Sequence, residues 1–277
     1  MKKAILTGTS AILVVLLAIA GGAAQEREQQ QQEQQQPEQP QAPPTPQPGE
    51  EERAAVLKVL GTTDPEQRVA LGEDFLSQYP ESPLRGRAYA AVAQGYRMQN
   101  NYAKAVEYGE RALELAPRDA VSMLLVADSL AESSTPEQAD FQERLAKGED
   151  YARRGLELLP DLFAGMRRRP EVPAEQYEEQ ERFIEGQAHA ILGSIYLRRD
   201  QFTEAEEELK RAAELTTMRP NPADFQRLGY AHLRQKEYAD AETAFQRCVE
   251  LGGAAGETCQ KQLDAVRQLL ITQPAPK

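Results

Sequence analysis

The sequence predicts an all-α protein, a solenoid of stacked helix pairs sealed by a last helix. One observation is a recurring register: Ala93, Tyr96, Tyr102, Ala105, Ala112 and Pro117 return at the same offsets as Gly193, Tyr196, Phe202, Ala205, Ala212 and Thr217, and again from Gly229. Another is the period inside each copy. Tyr89, Val92, Ala93 and Tyr96 fall at i, i+3, i+4 and i+7 of a first helix, and Tyr102, Ala105, Gly109 and Ala112 form the facing stripe of a second. A two-helix unit of this size cannot bury its apolar face alone. Copies must stack, and the stack offers a long curved surface where a globular enzyme has a closed pocket.

The N-terminal part reads as an address and a spacer. Lys2 and Lys3 precede an uncharged run, strongly apolar over residues 12–20, and Gly22, Ala23 and Ala24 supply small residues before Gln25. Residues 1–24 are thus expected to be a signal peptide, or a signal anchor if residues 4–24 stay uncleaved. The body is then exported, to the periplasm or to the inner-membrane surface. Residues 25–50 hold no large apolar side chain and are rich in Gln and Pro, the composition of a disordered linker.

The helical body begins at residue 51. Over residues 51–85, Val56, Val59 and Leu60 line one helix, while Asp64 and Pro65 open a second that faces inward through Val69, Phe75 and Leu76. Residues 86–119 form the clearest copy, with Asn100 and Asn101 at the turn and Pro117 at the end. Residues 120–160 repeat it: Met123, Val126, Ala127 and Leu130 carry the first face, and Leu145, Gly148, Gly155 and Pro160 the second once about nine residues are inserted near 133–141. Within that insertion Thr135 and Pro136 look like a helix start. Residues 161–185 break the period; Pro170 and Pro173 predict an irregular spacer, and residues 174–187 a three-turn extension of the following helix.

Two further copies, at residues 186–219 and 222–253, turn at Asp200 and end at Gly252 and Gly253, and residues 257–272 supply a capping helix with Leu263, Val266, Leu269 and Leu270 on one stripe. Cys248, near the end of the last repeat, and Cys259, near the start of the cap, are close enough for a disulfide in an oxidising compartment; two small buried thiols is the other reading.

The copy at residues 86–119 resembles a tetratricopeptide repeat nearly residue for residue, and those at 186–219 and 222–253 follow it. The resemblance implies a right-handed α-solenoid whose concave surface is lined by the first helix of each repeat. Carried onto this chain, the inward set is Arg87, Gln94, Arg97, Asp128, Gln187, Ser194, Arg198, Gln226, Tyr230 and Arg234. Some family members clamp a C-terminal carboxylate with Lys and Asn. Here Ala90 with Gln94, Leu124 with Asp128, and Ala190 with Ser194 hold those places, so the clamp is missing.

Catalytic chemistry finds little footing. Only His189 and His232 are present, each in a register position that favours a packed aromatic, and no nucleophile elbow, P-loop, dinucleotide fingerprint or CxxC occurs. No enzyme activity, cofactor or metal is expected. The formal charge of −12 falls to about −14 once Lys2 and Lys3 are removed, and the only tight basic cluster is Arg167, Arg168 and Arg169, read as a solvated loop. Nucleic acid is therefore excluded as a partner. The reading is a protein-binding scaffold of the bacterial cell envelope that takes an extended peptide or protein in its groove. The alternative is a carbohydrate or cell-wall binder, which needs exposed aromatic platforms; among the inward residues only Tyr230 is aromatic.

Overall fold

A computed structural model describes residues 47–167 and 173–272. The expected signal, the linker up to residue 46, Arg168, Arg169 and Pro170 lie outside the described residues. Within them the chain forms eleven helices and no strand: α1 (Glu50–Gly61), α2 (Pro65–Gln78), α3 (Arg85–Met98), α4 (Tyr102–Leu115), α5 (Ala120–Ser133), α6 (Phe141–Arg167), α7 (Ala174–Arg198), α8 (Phe202–Leu215), α9 (Pro222–Gln235), α10 (Tyr238–Leu251) and α11 (Gly256–Thr272).

Each helix packs on its chain neighbours, and every odd-numbered helix also packs on the next odd-numbered one. Among the described residues no two even-numbered helices bring their backbones together; they meet only through side chains, as where Tyr108 of α4 donates to Glu73 of α2 at 2.8 Å and Lys147 of α6 pairs with Glu110 of α4 at 2.6 Å. The odd helices therefore make a continuous inner layer and the even helices a splayed outer one. That asymmetry curves the stack, with the odd helices inside.

Close approach within a pair depends on small residues. A Cβ on Gly193 would lie 2.6 Å from Cγ of Leu209, so only glycine lets α7 reach α8 there. The turns between paired helices repeat a backbone device: Asn100, Asp200 and Lys236 each sit in the left-handed region, with φ of 59°, 57° and 65°. Asn and Asp tolerate that conformation through local hydrogen bonding; Lys has no such compensation.

Neighbouring repeats are latched through the residue three after the close-approach position. The Tyr96 hydroxyl donates to Glu73 Oε1 at 2.6 Å, and the Tyr196 hydroxyl to Glu149 Oε1 at 2.8 Å. In the last repeat His232 replaces the tyrosine, its Nδ1 3.6 Å from Glu206. Each acid lies on the second helix of the preceding repeat, so the latch ties repeat to repeat. Around Glu149, Arg199 Nη1 adds a bond at 2.5 Å and Arg153 another at 3.1 Å. Burial pushes the Tyr196 hydroxyl up to about 12, with Glu149 adding to the shift.

The structure departs from the sequence reading at four places. The linker ends early, since Glu50 already belongs to α1, where Glu50, Glu51 and Glu52 meet the positive end of the helix. Leu60 does not line the inside of α1 but is 42% exposed, while Val56 and Val59 are buried. Thr135 and Pro136 do not open a helix: they belong to a turn closed by the Gln138 N–H on the Thr135 carbonyl at 3.0 Å, and α6 starts at Phe141. The irregular spacer expected from residue 161 does not begin there: α6 runs through Pro160 and on to Arg167. Pro160 faces solvent, whereas Leu159 and Phe163 are buried and Leu162 and Met166 pack against the same core. Burying that stripe offsets the cost of a proline inside a helix, about 3 kcal/mol.

At the other end, the N–H of Gly252 closes α10 on the carbonyls of Cys248 and Val249, and positive φ at Gly252 and Gly253 reverses the chain. The cap α11 then packs Cys259, Leu263 and Val266 inward. Cys248 and Cys259 are joined by a disulfide, with their Cα atoms 6.1 Å apart.

Candidate partner-binding groove

The inner layer encloses a groove of about 770 Å³. Its floor comes from α5, through Val121, Leu124 and Leu125; one wall comes from the end of α3, with Gln94, Arg97 and Met98. The opposite wall is α7, where the N-terminal extension places Phe183, Ile184 and Gln187, and the far end is the α8–α9 connection from Thr216 to Pro222. Without the extra turns of α7 that wall would lose Phe183 and Ile184 and keep Ala190, Ile191 and Ser194.

Five of the inward residues expected from the sequence line this groove: Gln94, Arg97, Asp128, Gln187 and Ser194. Arg87 lines an adjoining hollow of about 490 Å³ with Leu60, Ala90 and Val121. Arg198 and Tyr230 line a smaller one of about 250 Å³ with Glu132 and Arg227. Two of the ten sit elsewhere. Gln226 donates to Gln262 of the cap helix at 3.3 Å. Arg234 bonds the Tyr230 hydroxyl at 2.8 Å and lies 4.3 Å over the Phe202 ring, outside these three hollows.

Most of the charge in the groove is already spent within the protein. Arg97 is paired with Asp128; burial works against the guanidinium, but Asp128 outweighs it and raises its pKa. Ser194 gives its hydroxyl to the Ala190 carbonyl at 2.9 Å. Glu132 accepts from Arg227 at 3.1 Å and pairs with Arg198 at 3.5 Å, linking α5 to both α7 and α9. Asp224, on the first turn of α9, is held by Arg227 at 3.1 Å and by Asn221 at 3.2 Å. Burial nonetheless raises its pKa, with Asp128 adding to the effect.

The sequence reading missed the apolar part of the surface. Met98 and Val121 are 47% and 48% exposed, and Phe183 and Ile184 are half-buried beside them. A signal for Phe183 exists: it stands beside, not on, the stripe of Tyr177, Ile184, Ala188 and Ile191 that faces the core. The arrangement suits shape and apolar contact with a rim of paired charges.

The tetratricopeptide repeat family model matches residues 86–119, 186–217 and 225–251. No curated protein sequence is significantly similar to the chain. Solved structures share the fold at low identity. An assembly chaperone of RpL4, Acl4, is 14% identical with a TM-score of 0.55, covering 82% of this chain and 91% of that one. PilF of Pseudomonas aeruginosa is 17% identical with a TM-score of 0.51, covering 81% and 93%. PilW, a type IV pilus biogenesis factor, is 19% identical with a TM-score of 0.50, covering 83% and 97%. The helix pairs at residues 86–119, 186–217 and 225–251 are therefore tetratricopeptide repeats, set in an all-helical solenoid.

Proposed function

We propose that this chain is a non-enzymatic scaffold of the bacterial cell envelope that holds an extended peptide or protein segment in the groove between α3, α5, α7 and α9. The observation that carries this reading is the half-exposed apolar surface of Met98, Val121, Phe183 and Ile184 at the inner face of a repeat stack. An extended chain laid there covers apolar area, while its backbone can bond to the rim. Protein partners are the usual business of this repeat, and PilW, with which the chain shares its fold, is described as a pilus biogenesis factor. The envelope location rests on residues 1–24; no helix among the described residues is long and apolar enough to cross a membrane.

The test replaces Met98 and Val121 together by Glu, two side chains that are about half exposed and make the smallest demand on folding. Wild type and variant are used to capture partners from an envelope fraction. Loss of the wild-type partners, with helix content unchanged by circular dichroism, is the expected result. The same partners on both baits would remove the groove from the account. Cell fractionation with N-terminal sequencing checks the export claim separately.

A further inference from the structure

We propose that Glu206, His232 and Glu237 form a binding site for a divalent transition-metal ion, of which zinc is the natural probe. The site lies outside the groove, where α8 of one repeat meets the α9–α10 turn of the next. Nδ1 of His232 is 2.7 Å from Oε2 of Glu237 and 3.6 Å from Oε2 of Glu206, and the three donor atoms all lie within 4.8 Å of one another.

The comparison with the other repeats carries the argument. In two of them the latch residue is a tyrosine, and the residue five positions on is neutral: Tyr96 with Asn101, Tyr196 with Gln201. There the hydroxyl donates to a single acid of the preceding repeat, and nothing more is needed. In the last repeat both positions change together, to His232 and Glu237, while the acid of the preceding repeat, Glu206, is kept. The outcome is one imidazole nitrogen facing two carboxylate oxygens. A neutral imidazole can donate its one Nδ1 proton to one of them, which leaves the other facing a carboxylate of like charge. A dication satisfies all three donors at once.

The donor set is one nitrogen and two carboxylate oxygens, which suits zinc and its neighbours better than calcium or magnesium, whose sites are built from oxygen alone. His232 is held rigidly, its side chain 4% exposed, whereas Glu237 is 41% exposed and leaves an entry path and room for water as a further ligand. Lys210 bonds the other oxygen of Glu206, at 2.6 Å, so it can stay in place and orient that carboxylate. Gln235, which donates to Oε2 of Glu206 at 2.7 Å, has to yield to the ion. Because the ligands come from two repeats, the ion joins them, and binding adds to the stability of the folded stack.

The experiment titrates zinc into the chelator-stripped, tag-free chain by calorimetry and follows thermal unfolding in parallel. One zinc per chain at micromolar affinity or better is expected, with a rise in Tm. Glu237→Gln, at an exposed side chain, should weaken binding by about 10-fold or more. His232→Tyr installs the side chain that two other repeats carry at this place; it should keep the helix content and lose the zinc. His189→Gln should change nothing. Absence of zinc binding, or binding unaltered by Glu237→Gln, overturns the site, as does binding that depends on His189.

Discussion

Gly229 lies flat against the ring of Phe245: a Cβ at this position would stand 2.7 Å from both Cδ1 and Cε1. The two residues are sixteen apart, and the same offset pairs Gly193 with Leu209 and Ala93 with Gly109. Where the first helix brings a methyl, the second brings nothing; where the first brings nothing, the second fills the gap. Size is therefore traded within each pair, and helix spacing is kept.

Gly229→Ala should cost about 1–3 kcal/mol, because Phe245 is fully buried and has no room to swing aside. Calorimetry of Gly229→Ala, Phe245→Leu and the double variant checks the coupling: the double variant should be more stable than the sum of the singles implies. Additive losses would mean that the two side chains do not share one space.

Lys236→Asn should raise stability by about 1 kcal/mol, since lysine there holds a φ of 65° that Asn100 adopts at the matching turn. A higher Tm with unchanged circular dichroism is the readout.

The Cys248–Cys259 disulfide closes a short loop between α10 and the cap. Replacing both by Ala should cost about 2–3 kcal/mol and free the cap first, seen as faster hydrogen exchange over α11. Alkylation of the unreduced protein should add no mass.

Glu149 gives a pH dependence of defined sign. Burial pushes its carboxyl up, but bonds from Tyr196, Arg199 and Arg153 outweigh that and hold its pKa below the ordinary value. A carboxylate depressed in the folded state stabilises fully above its unfolded pKa and loses that contribution as pH falls through the folded one. Glu149→Gln should therefore cost about 1–3 kcal/mol at neutral pH. The gap to wild type should close in the acid range, below about pH 4.

The architecture was legible because helix pairs write their packing into spacing. Val92, Ala93 and Tyr96 are buried for the same reason that they recur. The spacer expected from residue 161 was drawn too long. At Pro160 the apolar period continued through Leu159, Leu162, Phe163 and Met166, and burial on that stripe outweighs a lost backbone bond on the solvent side. The groove was half legible. Register places a residue on the inner face, but it does not tell whether a neighbour uses up its charge, as Asp128 does for Arg97. Nor does it show which apolar side chains the stack leaves uncovered, because Met98 and Phe183 line one groove from helices far apart in sequence. The His232 cluster stayed hidden for a similar reason: Glu206 joins it from the preceding repeat.

Glu132 gives the inner layer one more property. It is a single carboxylate on α5 that grips Arg198 of α7 and Arg227 of α9, two repeats away. Apolar packing sets the spacing of adjacent helices and is not screened by salt; this tie is, being a partly wet pair of charges. Rising salt should therefore weaken the one polar tie that joins α5, α7 and α9 at the rim of the inner layer, while the shared apolar core of these helices stays in place.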